Sequence, residues 1–313
     1  MELIKPKALG KGSTIGLVAP ALYLDEDALD KGVKILENMG YKTKVHPHCH
    51  LRHYNRAGTA EQRGQAVNDM FADPDVDGIL CVRGGDGFLR TEQYLDYDII
   101  KNNPKVFCGF SSATFLLHSF LVKTGLVTYH GPALIFILKE NTLGLSHFND
   151  VLSGHQVSVD IPAPKLMQKG VGTGPLIGGN ISNFVCLMGT PYEPDTDGAI
   201  LFLEDIYDWH HTYVRFMWHL KHVGKLENLA GIVIGEMIDV GSSYDRRTGT
   251  GDGVTIWDSI MELCAEQNIP IVGNVPIGHG DCTLTLPLGI EATLRVTDNN
   301  ASLTLEEPAT LHP

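Results

Sequence analysis

Residues 105–125 read KVFCGFSSATFLLHSFLVKTG, and this stretch predicts a strand that turns directly into a helix. Its first six residues are mostly apolar, as in a short buried strand. The turn that follows, residues 109–113, is built from small residues apart from Phe110, and a helical run of apolar residues then continues to Gly125. Because a strand joined to a helix is the repeating unit of a parallel sheet, the stretch indicates an α/β fold.

The residues before this stretch repeat the same unit. Strands are predicted at TIGLVA (14–19), YKTKVHP (41–47) and VDGILCVRG (76–84), and helices at 25–38 and 59–73. Alternation of short apolar strands with amphipathic helices is typical of doubly wound sheets. The first 135 or so residues therefore predict a flavodoxin- or Rossmann-like domain with a parallel sheet.

The character of the chain changes after residue 150. Residues 151–174 contain short segments with Pro and Gly, which predicts a linker between an N-terminal domain (1–150) and a C-terminal domain (175–313). Further elements follow the linker: strands at 198–205, 229–237, 269–275, 283–289 and 292–298, and helices at 181–188, 211–223 and 255–267. The second domain is predicted to be mixed α/β, and its strand order stays open.

Composition excludes several classes of protein. The formal net charge of -13, with no segregated basic stripe, argues against a nucleic-acid partner. The sequence shows neither an apolar stretch of signal-peptide length near residue 1 nor a membrane-spanning one, so no membrane partner is predicted. The six cysteines form no C-x-x-C pair and are predicted to be mostly buried, reduced thiols. We expect a cytoplasmic protein.

Ser111, at the strand-to-helix turn, is a candidate nucleophile. A nucleophile elbow needs small residues around a sharply bent serine, and it leaves the hydroxyl exposed near a helix N-terminus. Ala113 stands where such an elbow usually has Gly. The alternative is that Ser111 or Ser112 merely N-caps the helix, and these five residues alone leave both interpretations open.

A glycine loop, residues 83–87 (RGGDG), follows the buried strand GILCV. Open sheets bind their ligands at the carboxyl ends of strands. Consecutive glycines allow backbone N–H groups to approach and polarise a substrate oxyanion. A phosphate-binding loop is the alternative, but the segment lacks both the Lys-Ser/Thr of a P-loop and the G-x-G-x-x-G order of a dinucleotide site.

Seven segments, taken in their order along the chain, resemble the LD-carboxypeptidase family of serine peptidases, which also contains the microcin C immunity peptidases. The resemblance spans nearly the whole chain, and the combination is far more specific than any one segment. The segments are KPKALGKGSTIGLVAP (5–20), VRGGDG (82–87), LDYDIIKNNPKVFCGFSS (95–112), TGLVTYHGP (124–132), GPLIGGNIS (174–182), LFLEDI (201–206) and PIGHGDCTLTLPLG (276–289).

The resemblance implies a Ser-Glu-His relay. Ser111 falls on the family's nucleophile, Glu204 on the glutamate of its L-x-L-E-D segment, and His279 on the histidine of its G-H-G segment. In such a relay the histidine takes the serine proton and later gives it to the leaving amine, while the glutamate fixes the imidazole tautomer. The active site is then expected in the cleft between the two domains.

The resemblance also implies an oxyanion hole, made by backbone amides near Gly85 and Asp86 together with that of Ser112. Asn180 is a further candidate site residue, either hydrogen-bonding in the cleft or making a tight turn into the next helix. Three positions depart from the family pattern: Asp86 stands where Tyr is frequent, Ser112 where Asp is common, and Thr283 where Asn is common. An acid at position 86 would repel a substrate carboxylate, which puts substrate preference in doubt.

By this resemblance, the expected reaction is hydrolysis of an amide through an acyl-enzyme, releasing the terminal D-alanine of a murein tetrapeptide during peptidoglycan recycling. An immunity-type peptidase, which would cleave a peptidyl or aminoacyl nucleotide with the same residues, is the alternative within the family. A non-catalytic binder of small ligands is the alternative from another class. The family also implies a homodimer and no cofactor.

Two further segments are open to more than one interpretation. The segment VHPHCHLRHYN (45–55) carries His46, His48, His50 and His53, which by residue type could bind zinc. No H-E-x-x-H motif accompanies them, so we predict no metal and a solvent-facing or cleft-lining loop instead. The aromatic segment 207–213 follows Glu204 and is predicted either to line the site or to form an ordinary helix start.

Overall fold

A computed structural model of the chain describes residues 2–207, 209–238, 244–245, 250–251 and 254–311. The predicted α/β class is confirmed. The strands are β1 Thr14–Val18, β2 Lys42–Val45, β3 Gly78–Cys81, β4 Val106–Gly109, β5 Tyr129–His130, β6 Ser158–Asp160, β7 Lys165–Gln168, β8 Gly170–Asn180, β9 Ile200–Ile206, β10 Gly231–Ile238, β11 Tyr244–Asp245, β12 Thr250–Gly251, β13 Ile271–Val275, β14 Leu286–Pro287, β15 Glu291–Val296 and β16 Ala301–Leu305. The α-helices are α1 Glu26–Asn38, α2 Ala60–Ala72, α3 Phe88–Thr91, α4 Tyr97–Asn102, α5 Thr114–Thr124, α6 Leu134–Ile137, α7 Thr142–Leu152, α8 Ile181–Val185, α9 His210–His222 and α10 Ile256–Cys264.

The first of two compact units contains residues 1–157, 281–289 and 308–313. Its six-stranded sheet has the order β14-β5-β4-β3-β1-β2. Neighbouring strands from β1 to β5 pair in parallel, which confirms the predicted parallel sheet, and β14 adds an antiparallel edge from far along the chain. Every residue of β3 and β4 is buried, as expected for parallel strands covered on both faces.

The second unit contains residues 158–280 and 290–307. Its eight-stranded sheet has the order β6-β16-β15-β8-β9-β10-β13-β7. The central strands β8, β9, β10 and β13 run parallel, and antiparallel strands flank them on both sides. The unit is therefore mixed α/β, as predicted, and the structure supplies the strand order that the sequence left open.

Strand β8 begins inside the segment that the sequence analysis took for a linker. Its glycines, which made the segment look irregular, are required by close packing. A Cβ on Gly172 would lie 1.8 Å from the carbonyl oxygen of Ala230, and one on Gly174 would lie 1.9 Å from that of Gly198. Any larger residue would push the neighbouring backbone away, so the glycines here belong to a strand and not to a loop.

Two predictions about thiols and membranes can be compared with the structure. All six cysteines are free thiols, and Cys49, Cys81, Cys108 and Cys264 are buried, as predicted. Among the helices that the structure describes, none combines the length and the apolar composition that a membrane crossing requires.

The returning segment 281–289 is joined to α7 by a buried histidine. The backbone N–H of Thr285 donates to Nδ1 of His147, at 3.1 Å. Burial lowers the pKa of His147 from its usual 6.5 to about 4, and the charge of Asp150 opposes this shift only in part. His147 is therefore neutral in the folded protein at neutral pH, where its ring accepts the hydrogen bond.

The first prediction concerns this histidine and pH. As the pH falls below 6.5, His147 binds a proton in the unfolded chain but not in the folded protein, so the folded state loses stability. Between pH 7.5 and pH 5 the parent should lose about 2 kcal/mol more unfolding free energy than His147→Gln, as measured by urea denaturation at each pH.

The matched control is His219→Gln, which removes an exposed histidine of α9. This variant should keep the parent's pH dependence. If His147→Gln loses stability with falling pH as steeply as the parent, the buried neutral histidine is contradicted.

Candidate active site

Ser111 lies at the turn between β4 and α5. A single 3₁₀ turn, Ser111–Ala113, joins the end of β4 to the start of the helix. Ser111 has φ 60°, in the left-handed region that side chains other than glycine rarely adopt. Strained backbone of this kind costs about 1–3 kcal/mol and occurs preferentially at functional sites. A strained serine between strand and helix is the geometry of a nucleophile elbow.

The alternative role of the two serines, as N-caps, is wrong. Neither the 3₁₀ turn nor α5 has a side-chain cap. The hydroxyl of Ser112 instead accepts the backbone N–H of Gly85, at 2.8 Å. The turn is also crowded, because a Cβ on Gly109 would lie 3.1 Å from the Cβ of Ala113. The small residues therefore serve the sharp bend.

The glycine loop 83–87 lies against the serine turn. A Cβ on Gly84 would lie 3.0 Å from the Cβ of Ser111 and 3.2 Å from its Oγ. A Cβ on Gly85, whose φ is 118°, would overlap the side chain of Leu22 at 2.2 Å. A side chain at position 84 would crowd Ser111, and position 85 requires glycine because its positive φ adds to the overlap with Leu22. The first unit thus brings Gly85, Ser111 and Ser112 together.

Arg63, on α2, hydrogen-bonds to the glycine loop, although the sequence analysis did not single it out. Its side chain is 2% exposed. The guanidinium donates to the carbonyl oxygens of Gly58 (2.7 Å), Pro20 (3.0 Å) and Gly87 (3.4 Å) and to the hydroxyl of Thr91 (3.1 Å). A basic residue on an amphipathic helix is ordinarily exposed, so only the folded structure shows this role.

In the second unit, Glu204 and His279 form a hydrogen-bonded pair. Glu204 lies on β9 and is 0% exposed, and His279 lies in the loop that follows β13. Nδ1 of His279 is 2.7 Å from Oε2 of Glu204. Because a carboxylate can only accept, Nδ1 donates the proton and Nε2 is left as the basic nitrogen. This is the tautomer that a general base needs.

Two glycines make room for the pair. A Cβ on Gly278, whose φ is 89°, would lie 2.1 Å from Oε2 of Glu204. A Cβ on Gly235, in the neighbouring strand β10, would lie 2.7 Å from the Cβ of Glu204. The glycine before the histidine in the G-H-G segment is therefore needed for the approach of the ring to the carboxylate.

Asn180 and Asp205 support this end of the sheet. Asn180 N-caps α8, so the structure gives it the turn role. Its Nδ2 donates to Oδ1 of Asp205 at 2.8 Å, and the backbone N–H of Ser182 donates to Oδ2 at 3.0 Å. Burial, followed by the adjacent Glu204, raises the pKa of Asp205 to about 6. Asp205 therefore connects β9, the strand that also carries Glu204, to the start of α8, a role that the sequence analysis missed.

The histidine-rich segment 45–55 does not form a zinc site in the part of the chain that the structure describes. His46 lies 3.2 Å from Asp69, whereas His50 lies 2.7 Å from Glu26. Each ring is used in a separate contact, and no group of three ligands gathers among the described residues.

The aromatic segment after β9 is only partly buried. Trp209 is 43% exposed, and its ring stacks on that of His211 with centroids 6.3 Å apart. Tyr207 is also exposed and has φ 65°. Asp208, which the sequence analysis included in this segment, lies outside the described residues. Both aromatic side chains are exposed to solvent in part.

Known proteins match this chain over nearly its whole length. The family profile described as the LD-carboxypeptidase N-terminal domain matches residues 15–131, and that of the C-terminal domain matches residues 173–294. A probable murein peptide carboxypeptidase of Bacillus subtilis (strain 168) is 30% identical over 302 residues, covering 95% of this chain and 93% of that protein.

Solved structures agree with this match. The crystal structure of an MccF-like protein from Bacillus anthracis has a TM-score of 0.86 at 27% identity, and it covers 97% of this chain and 99% of that one. Microcin C7 self immunity protein MccF in complex with aspartyl sulfamoyl adenosine has a TM-score of 0.84 at 25% identity, with the same coverage.

The second prediction concerns the space beside Glu204. Gly278→Ala should lower the unfolding free energy by at least about 3 kcal/mol, because it adds an overlap with a buried carboxylate to the strain of a positive φ. Urea denaturation measures the loss, and ¹⁵N chemical shifts of the His279 ring report which nitrogen carries the proton.

Gly189→Ala is the matched control, since Gly189 has φ 74° and its added Cβ would meet no atom within 4 Å. It isolates the strain alone, for which we expect a loss of about 1 kcal/mol. Equal losses in the two variants would contradict the tight fit around the Glu204–His279 pair.

Proposed function

Since this chain belongs to the LD-carboxypeptidase family and is a serine-type peptidase, we propose that it releases the terminal D-alanine of a murein tetrapeptide. Ser111 is the proposed nucleophile, and Glu204 and His279 are its proposed relay. The observation that carries this proposal is the hydrogen bond from His279 to the fully buried Glu204. An imidazole held in this tautomer by a carboxylate is the arrangement that activates a serine.

Acylation is the first half of the proposed reaction. Nε2 of His279 takes the hydroxyl proton of Ser111 while Oγ attacks the carbonyl carbon before the D-alanine. Glu204 stabilises the imidazolium that results. The negative charge on the substrate oxygen is stabilised by hydrogen bonds from the backbone N–H groups of Asp86 and Ser112, because the N–H of Gly85 already donates to the Ser112 hydroxyl. The glycine loop supports this role, because its backbone lies against the side chain of Ser111.

Collapse of the tetrahedral intermediate breaks the amide bond. The imidazolium gives its proton to the departing amine of D-alanine, and the tripeptide remains as an ester on Ser111. Water then attacks the ester with His279 again acting as the base, which releases the tripeptide and restores the serine. The strained backbone at Ser111, between β4 and α5, supports this role, since it matches that of a nucleophile elbow.

A nucleotide-linked substrate is the second candidate. The relative MccF is solved with aspartyl sulfamoyl adenosine, whose adenine is a planar base. In the present chain the exposed ring of Trp209 follows the strand that carries Glu204 and could stack on such a base. The murein substrate is preferred because a probable murein peptide carboxypeptidase is 30% identical over 95% of the chain.

The third prediction tests the nucleophile and the substrate together. The parent should release D-alanine from L-Ala-γ-D-Glu-meso-diaminopimelate-D-Ala, as followed by coupled detection of free D-alanine. Ser111→Ala should reduce kcat by at least about a thousand-fold, because it removes the attacking oxygen. Ser112→Ala is the matched control, and it should lose less than about ten-fold because it removes only the hydroxyl that accepts the Gly85 N–H.

Each other outcome has a definite meaning. Equal losses in the two serine variants would contradict Ser111 as the sole nucleophile. A folded parent that releases no D-alanine but hydrolyses a peptidyl nucleotide would favour the second candidate. If neither substrate is hydrolysed, yet Ser111→Ala binds the tetrapeptide as the parent does, a non-catalytic binder is the better description.

A further inference from the structure

An ion pair lies beside the glycine loop and is not used by the mechanism above. Nη2 of Arg56 donates to Oδ2 of Asp86. The side chain of Asp86 is 60% exposed, whereas that of Arg56 is only 18% exposed. Asp86 is two residues from Gly84, where an added Cβ would lie 3.0 Å from the Cβ of Ser111, so the pair belongs to the loop that contacts the serine turn.

The backbone of Arg56 is fixed. It forms antiparallel bridges with both Leu22 and His53, and it exchanges two hydrogen bonds with His53, at 2.9 and 3.0 Å. The Cδ of Arg56 lies 3.5 Å from where a Cβ on Gly87 would stand. Both Leu22 and Arg56 therefore touch the glycine loop, which keeps the guanidinium beside it.

The guanidinium of Arg56 has donor capacity that Asp86 does not use. Its Nε is buried and has no acceptor among the described residues. An arginine binds a carboxylate most strongly through two parallel N–H donors, and Nε with Nη2 forms one such edge. Asp86 accepts a hydrogen bond from Nη2 alone, so the second donor of this edge, Nε, is not used by the ion pair.

The surroundings favour an anion. Arg56, Arg63, Arg83 and Arg90 lie in or around the glycine loop, in a chain whose net charge is -13. Burial lowers the pKa of Arg63, and the charge of the neighbouring Arg56 lowers it further, as expected where positive charges crowd together. The ionised side chain of Asp86 offsets only part of this charge.

We propose that Arg56 binds the terminal carboxylate of the peptide substrate and that Asp86 occupies Arg56 until the substrate displaces it. The inference rests on the proposed function and names its substrate class as peptides with a free C-terminal carboxylate. Displacement is feasible, because the substrate carboxylate replaces Asp86 on the guanidinium and the released Asp86 side chain, which is 60% exposed, is solvated. A peptide that ends in a carboxamide cannot compete for the guanidinium in this way.

The fourth prediction compares two substrates that differ only at the last group. The tetrapeptide with terminal D-alanine and the same peptide with D-alaninamide are assayed for kcat and KM. Arg56→Gln should raise KM for the carboxylate substrate about ten-fold or more and leave kcat and the amide substrate unchanged. Asp86→Asn should lower KM for the carboxylate substrate about three-fold, because it removes the internal competitor.

Arg90→Gln is the matched control, since it removes the same charge from an exposed arginine of α3. It should change KM for either substrate less than about two-fold. The inference is overturned if Arg56→Gln raises KM equally for both substrates, or if Asp86→Asn raises KM for the carboxylate substrate. Should Arg56→Gln not fold, the direction of the KM change in Asp86→Asn decides.

This failure is distinguishable from failure of the proposed function. Hydrolysis of both substrates with equal KM by the parent would keep the peptidase proposal and overturn the role of Arg56. If the parent hydrolyses neither substrate, the murein carboxypeptidase proposal fails, and the substrate class inferred from Arg56 fails with it.

Discussion

The hydrogen bond between His279 and the buried carboxylate of Glu204 constrains the residues around it in the second unit. Removing an isolated carboxylate from water costs several kcal/mol, and a partner that donates a hydrogen bond offsets this cost. His279 is that partner, at 2.7 Å, and its approach requires glycine at 235 and 278. The adjacent Asp205 is also buried, and its burial, followed by the charge of Glu204, raises its pKa to about 6, although the side-chain amide of Asn180 and the backbone N–H of Ser182 donate to it.

The first unit meets a different constraint, which is the bend at Ser111. A positive φ at a serine persists only where surrounding contacts over-determine the backbone. Here Gly84 packs against the Ser111 side chain, Ser112 accepts the Gly85 N–H, and buried Arg63 anchors the loop through Gly87. The loop and the turn therefore hold each other, and the strain is confined to the residue whose hydroxyl the proposed chemistry uses.

Local signals made most of the fold predictable from sequence, and non-local contacts account for the rest. Strands β1, β3 and β4 are short apolar runs in an alternation of strands and helices, so each carries its own signal. Strand β14 pairs with β5 across more than 150 residues, a contact that no local pattern announces. Strand β8 was missed because Gly172 and Gly174 look like loop residues until the neighbouring carbonyl oxygens are in place.

The same difference between local signals and non-local contacts applies to the candidate site. Ser111, Glu204 and His279 stand in recognisable segments, whereas the importance of Arg63 and Arg56 comes from tertiary contacts. Asp86 shows why this matters. By residue type alone it is an acid that would repel a substrate carboxylate, but its carboxylate faces a guanidinium held in place by the backbone of Arg56. What a charged residue does to a ligand depends on whether its partner remains bound to it when the ligand arrives. For a peptidase whose substrate carries a carboxylate, the presence of Asp86 therefore says less about carboxylate binding than the presence of Arg56, to which Asp86 is paired.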